Sequence, residues 1–259
     1  MKNLYIILLV LPLIGFGQTE HIKEHHPNGQ LRIEGNIKDG KKEGVWKEYY
    51  QNGQLEIETN FKKGQGEGLL KYYYENGQLQ LEGNYVDGEP HGPYKSYYEN
   101  GQLKYEGNFK EGKDHGPYKT YYENGKLSEE GNYKDGEQEG LLKFYYQSGT
   151  LYRQCNVQDG ELEGWSTIYH ENSKNGFNIF SQGNYKNSEQ EGLWKFYYPG
   201  DVFSNGELSE RGNYKDGKKE GLWEFFYESG IVKTENNWKE GKLISKKCFD
   251  QKGDEVECE

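Results

Sequence analysis

Aliphatic side chains are scarce in this chain: hydrophobic residue types make up 32% of its 259 residues, and 29% are charged. A conventional aliphatic core is excluded by supply, so burial has to come from aromatic rings, above all the 24 tyrosines. No apolar run reaches the roughly 18–20 residues of a membrane-spanning helix. Basic residues are outnumbered, 32 against 43 acidic ones, giving a formal charge of −11. Such a chain lacks the basic patch needed to neutralise a phosphate backbone, which excludes nucleic acid as a partner, and the same sign argues against binding to an anionic membrane. A glycine-rich phosphate loop, a CxxC pair, GxSxG and HExxH are all absent, removing the common phosphate, redox, nucleophile and zinc signatures.

What is present is repetition. From just after one Glu-Gly to the next, three consecutive units read LLKYYYENGQLQLEGNYVDGEPHG, PYKSYYENGQLKYEGNFKEGKDHG and PYKTYYENGKLSEEGNYKDGEQEG. The closing glycines Gly44, Gly68, Gly92, Gly116, Gly140 and Gly164 are 24 residues apart; the next, Gly192 and Gly221, follow after 28 and 29 residues. The extra residues fall at 171–180 and 199–204, as insertions between the two strands of a unit. Each unit has two turn signals. Asn-Gly, as at Gly53, Gly77 and Gly101, predicts a type I′ hairpin turn, and the stretch Lys-Asp-Gly-Lys-Lys-Glu-Gly ending at Gly44 predicts a longer polar return loop. The predicted fold class is all-β: an elongated antiparallel meander or solenoid of about nine 24-residue hairpin repeats, with no helical domain. Residues 1–17 read as a signal peptide, 18–242 as the repeats and 243–259 as a C-terminal capping hairpin.

Aromatic residues recur in columns. A Tyr-Tyr pair closes the first strand of successive units, and adjacent strand residues point to opposite faces, so each pair gives one ring to each side. The second members, Tyr50, Tyr74, Tyr98, Tyr122, Tyr146 and Tyr198, are the candidate partner-binding residues, because rings on a rigid sheet offer large contact area at low entropic cost. The second strand adds a leucine column (Leu55, Leu79, Leu103, Leu127, Leu151) and an aromatic one (Phe61, Tyr85, Phe109, Tyr133).

The same register leaves no catalytic residue to name. His25, His26 and His170 stand in the tyrosine columns, and His91 and His115 stand where Glu43, Glu67, Glu139 and Glu163 stand elsewhere. The carboxylates before each closing glycine and in the Asp-Gly turns recur in unit after unit, which an enzyme would not need, and read as solvated turn residues. No metal site and no cofactor are predicted. Cys155 occupies the position of Gly35, Gly83, Gly107 and Gly131 and reads as a column variant. Cys248 and Cys258 flank a short hairpin and are either a candidate disulfide or two free thiols.

At the N-terminus, Lys2, an apolar run from Leu4 to Phe16 and the small residues Gly15 and Gly17 predict cleavage before Gln18. With no cysteine at that junction a lipid anchor is not expected, and the mature chain is placed in the periplasm, on the surface or outside the cell.

The unit YYENGQLKYEGNFKEGKDHG, Tyr97 to Gly116, resembles the MORN-variant repeat. Exported arrays of it resemble proteins grouped as the YwqK family of toxin–antitoxin antitoxins, over residues 22–242. The resemblance implies an elongated β-sheet scaffold that binds partners, here an antitoxin or an immunity protein acting outside the cytoplasm. The expectation is a non-enzymatic, monomeric scaffold for a protein partner of basic charge. Two readings stand beside it: a carbohydrate- or cell-wall-binding repeat protein, since the units also resemble choline-binding repeats, and a structural envelope component.

Overall fold

In the computed structural model, which describes residues 18–171, 178–200 and 206–258, every regular element is a β-strand, and there are 22 of them. Lys113–Asp114 and Gly116–Tyr121 are halves of one strand, as are Glu137–Gln138 and Gly140–Tyr145. Ten hairpins result, the tenth being the cysteine hairpin. The pairings are antiparallel and join sequence neighbours, as in Lys41–Tyr49 with Leu55–Lys62 and then Leu55–Lys62 with Gln65–Tyr73. The chain divides after Glu89 into two compact units, and both repeat this meander. The expected signal peptide lies outside the described residues, as does most of each insertion.

The two turns are the reverse of the expectation. At Asn-Gly only the glycine takes positive φ, as at Gly53 (φ 85) and Gly77 (φ 81), while the preceding asparagine does not. Tyr50 accepts from Gly53 N–H and donates to Gln54 O, both at 2.9 Å, which is a type I turn closed by a glycine bulge. The asparagine is selected for its side chain instead. Asn52 Oδ1 accepts from Gln54 N–H at 2.9 Å and its Nδ2 donates to Glu75 O of the next repeat at 3.0 Å; Asn28, Asn100 and Asn124 repeat both bonds. The supposed long loop is the type I′ turn. Lys38 pairs directly with Lys41, and Asp39 (φ 50) and Gly40 (φ 73) both lie in the left-handed region. Asn124→Ala removes one turn bond and one bond between repeats, so an expected loss of about 1–2 kcal/mol is the outcome to check by urea denaturation.

The recurring carboxylate before the closing glycine is more than a solvated residue. Glu43 accepts from Lys63 N–H at 2.8 Å, and Glu67, Glu139, Glu163, Glu191 and Glu220 accept in the same way from the first residue of the following type I′ turn. Wherever that glutamate is present, a repeat thus caps the turn of its successor.

Burial concentrates in a column the aromatic patterning did not single out, the residue two positions after the closing glycine. Trp46, Leu70, Tyr118, Leu142, Trp194 and Trp223 are each at most 8% exposed. The facing position in the preceding strand is Gly35, Gly131, Gly183 or Gly212, where an added Cβ would run into Trp46, Leu142, Trp194 or Trp223 respectively. Only glycine lets a ring lie flat on the neighbouring backbone. The three indoles also donate to the carbonyls of Asn36, Asn184 and Asn213, each at 3.0 Å. The column is not glycine throughout: Thr59 faces Leu70, and where Cys155 stands in it the residue paired with it is Ser166, both 1% exposed. Burial pushes the Cys155 thiol pKa up, away from the thiolate a nucleophile needs.

The C-terminal strand Lys242–Phe249 ends this column on Lys246, opposite Asn236. Lysines on an edge strand oppose addition of a further strand, and a Cys248–Cys258 disulfide, with Cα atoms 5.3 Å apart, ties down the last hairpin.

Candidate functional site

The buried column defines a core face, and the alternate residues form the opposite, open face. The second-column tyrosines lie on the core-face side, where their hydroxyls are spent inside the protein. Tyr50, Tyr98, Tyr122, Tyr146 and Tyr198 donate to Tyr73 O, Tyr121 O, Tyr145 O, Tyr169 O and Phe226 O of the following repeats, at 2.5–2.9 Å. His26, in the same column, reproduces the bond to Tyr49 O at 2.7 Å. Tyr74 is half-buried in the same position. These rings fasten one repeat to the next. Tyr122→Phe is expected to lower stability by about 0.5–1.5 kcal/mol, read as the shift of the urea midpoint.

Three rows run across the open face. Lysine and glutamate alternate in one: Lys47 pairs with Glu58, Lys95 with Glu106 and Lys143 with Glu130. Late in the chain the signs exchange together, with Arg211 in the glutamate position and Glu224 in the lysine position, still bonded at 2.5 Å. Beside it, the first-column tyrosines donate to the glutamates: Tyr49 to Glu34 at 2.7 Å, Tyr121 to Glu106 at 2.6 Å and Tyr145 to Glu130 at 2.9 Å. Burial first, and then the bond to the carboxylate, push these three phenols up to about 12. The Tyr49 bond holds the Glu34 carboxyl below its usual value.

The third row is apolar and uncovered. It is the residue directly after each closing glycine: Val45 (51% exposed) and Leu69 (45%) in the first unit, and Leu141 (47%), Trp165 (46%), Leu193 (47%) and Leu222 (46%) in the second. Pro93 and Pro117 fill the same position and are also exposed. Between Pro93 and Pro117 lies a trough of about 310 Å³ floored by Gly107 and walled by Lys95, Glu106 and Lys119. A second, of about 290 Å³, lies between Pro117 and Leu141 over Gly131. The apolar residues stand as ridges on the open face, and the two troughs lie between them. Reasoning from tyrosine content missed this row, although an apolar residue after every closing glycine was a visible signal. Among the described residues no group of three or more His, Cys, Asp or Glu side chains is placed to hold a metal.

A hairpin array with one sealed aromatic face and one ridged, charge-banded open face defines a β-repeat scaffold. The MORN repeat variant family matches residues 21–39, 42–63, 66–87, 90–111, 114–135, 138–159 and 219–240, more than half of the sequence, and the chain belongs to that family. No curated protein matches it. Among solved structures it is similar to the crystal structure of TcdB2-TccC3, at 10% identity over 86% of this chain and 15% of the other, with a TM-score of 0.21. It is likewise similar to that of TcdB2-TccC3-TEV, at 14% identity over 90% and 16%, with a TM-score of 0.20. The chain thus spans less than a fifth of those chains.

Proposed function

We propose that the chain is a non-enzymatic repeat scaffold whose open face in the second unit holds a partner protein. The observation that carries this reading is the exposed apolar row with its troughs between Pro93, Pro117 and Leu141. Side chains of a partner would enter the hollows while the flanking lysine–glutamate row sets register and rejects mismatched charge. The contact surface is therefore assigned to this row in preference to the second tyrosine column, whose hydroxyls are already engaged. A net charge of −11 favours a basic partner. The finer form of the proposal is an antitoxin or immunity role, with export directed by residues 1–17.

The test is a pulldown from envelope extract with wild type and with the double variant Pro117→Asp, Leu141→Asp. The expected result is a basic protein held by wild type, reconstituted from purified components, and bound at least tenfold more weakly by the variant. Equal retention by both baits, or no partner for either, overturns the reading.

A further inference from the structure

The charged row of the open face is interrupted once. Reading across neighbouring strands of the second unit, the row runs Glu130, Lys143, Gln154, Thr167, Gln182, Lys195, Arg211 and Glu224. Gln154, Thr167 and Gln182 are three uncharged residues on three adjacent strands, Leu151–Gln158, Glu161–Tyr169 and Ile179–Lys186. In a chain with 29% charged residues, the one place that loses its charges also gains the only tryptophan of the apolar row. Trp165 pairs with Asn184, and Asn156 stands on its other side. The family match stops at residue 159 and resumes at 219; Trp165, Thr167 and Gln182 lie in that interval and depart from the residues of the other repeats, whereas Asn156 and Asn184 keep the asparagine that every repeat carries there.

The geometry presents the indole as a platform. Trp165 Nε1 donates to Thr167 Oγ1 at 3.1 Å, folding the ring along its own strand over Thr167, which is 3% exposed while Trp165 as a residue keeps 46%. Its one polar atom is thereby satisfied, and what it offers to solvent is an apolar ring face. Gln182 is oriented by donating from Nε2 to Tyr197 OH at 2.8 Å. Asn156 and Asn184 are exposed and Gln154 is half-buried. Carboxamides both donate and accept hydrogen bonds, and the outer two of the three strands are about 10 Å apart.

We infer that this window is a binding site for a neutral glycan chain. A sugar ring has an apolar C–H face and a rim of hydroxyls that each donate and accept. A flat, fixed indole flanked by carboxamides matches both features. A charged residue at 154 or 182 would instead have to be desolvated against a ligand without charge to offer it. The absence of charge thus selects an uncharged saccharide over an acidic one. The inference is independent of whether the neighbouring troughs hold a protein.

The experiment uses the full mature chain and a panel of hexasaccharides: cellohexaose, laminarihexaose, mannohexaose and chitohexaose, with hexagalacturonic acid as the acidic probe. Binding is followed by calorimetry and by the indole N–H resonance of Trp165, assigned by comparison with Trp165→Ala. The expected result is that at least one neutral probe binds and moves that resonance. Trp165→Ala and the double variant Gln154→Glu, Gln182→Glu, which restores the glutamates that other repeats carry at these half-buried positions, each weaken it tenfold or more. Leu222→Ala, in the same row outside the window, leaves it unchanged. No binding by any neutral probe, tighter binding of hexagalacturonic acid, unaltered affinity in the charge-restored variant, or occupancy of the window by a protein partner instead overturns the inference.

Discussion

Gly212→Cys is expected to destabilise the protein by about 1–3 kcal/mol and Trp223→Ser by about 3–5 kcal/mol, with the double variant losing clearly less than their sum. A Cβ at Gly212 collides with the indole of Trp223, a fully buried side chain that also donates to Asn213 O and lies under Lys219 Nζ at 3.7 Å. The cysteine forces that ring out of place, and the serine leaves a hole where it was. Together they recreate the pairing that the chain already uses once, Cys155 opposite Ser166. The position one strand away from Ser166 must be small only when its partner is large. Urea midpoints for the four proteins complete the cycle, and strict additivity, within about 0.5 kcal/mol, would show that the two positions are not coupled through shared volume.

Alkali should unfold this protein well before it unfolds an ordinary acidic domain. Tyr49, Tyr121 and Tyr145 titrate at about 12 in the folded chain. Burial and the Asp114 and Glu129 carboxylates hold Tyr105 and Tyr118 higher still. An unfolded tyrosine loses its proton near 10, so between about pH 10 and 12 the unfolded state binds fewer protons than the native one and stability falls as pH rises. Below pH 10 the contribution is complete. On the acid side the sign reverses: Glu34 has a lowered folded value, so its contribution is present above the ordinary carboxylate range and is lost as pH falls through the folded value. Urea midpoints at about pH 9 and about pH 11.5 should show a steep drop for wild type and a shallower one for Tyr145→Phe, which has no proton to lose. Equal slopes would mean that Tyr145 does not titrate late.

Much of the architecture was legible in the residues because a repeat states each requirement many times over. Period, hairpin count and the placement of insertions follow from the closing glycines, and five of the six histidines fall into tyrosine or glutamate positions as the register implies, with His26 even keeping the tyrosine's bond. The turn types were misread because Asn-Gly and Asp-Gly satisfy the same local preferences. Strand pairing decides between them: a two-residue connection from Lys38 to Lys41 demands two left-handed residues, whereas the connection after Tyr50 is long enough for a type I turn and uses the asparagine side chain to reach the next repeat. The carboxylates before the closing glycines look like solvent-facing residues until the following turn is brought against them.

The sequence by itself determined that this chain is a stack of hairpins, that aromatic rings must supply its burial, and that each closing glycine except Gly164 is followed by two apolar or aromatic residues. Which of those two is sealed and which is left in water was decided only by the tertiary structure. Leu141 and Leu142 are the same residue in adjacent positions, yet one is 47% exposed and the other 2%. The difference arises because Leu142 faces Gly131, and rings of the neighbouring repeats close over that side of the sheet alone.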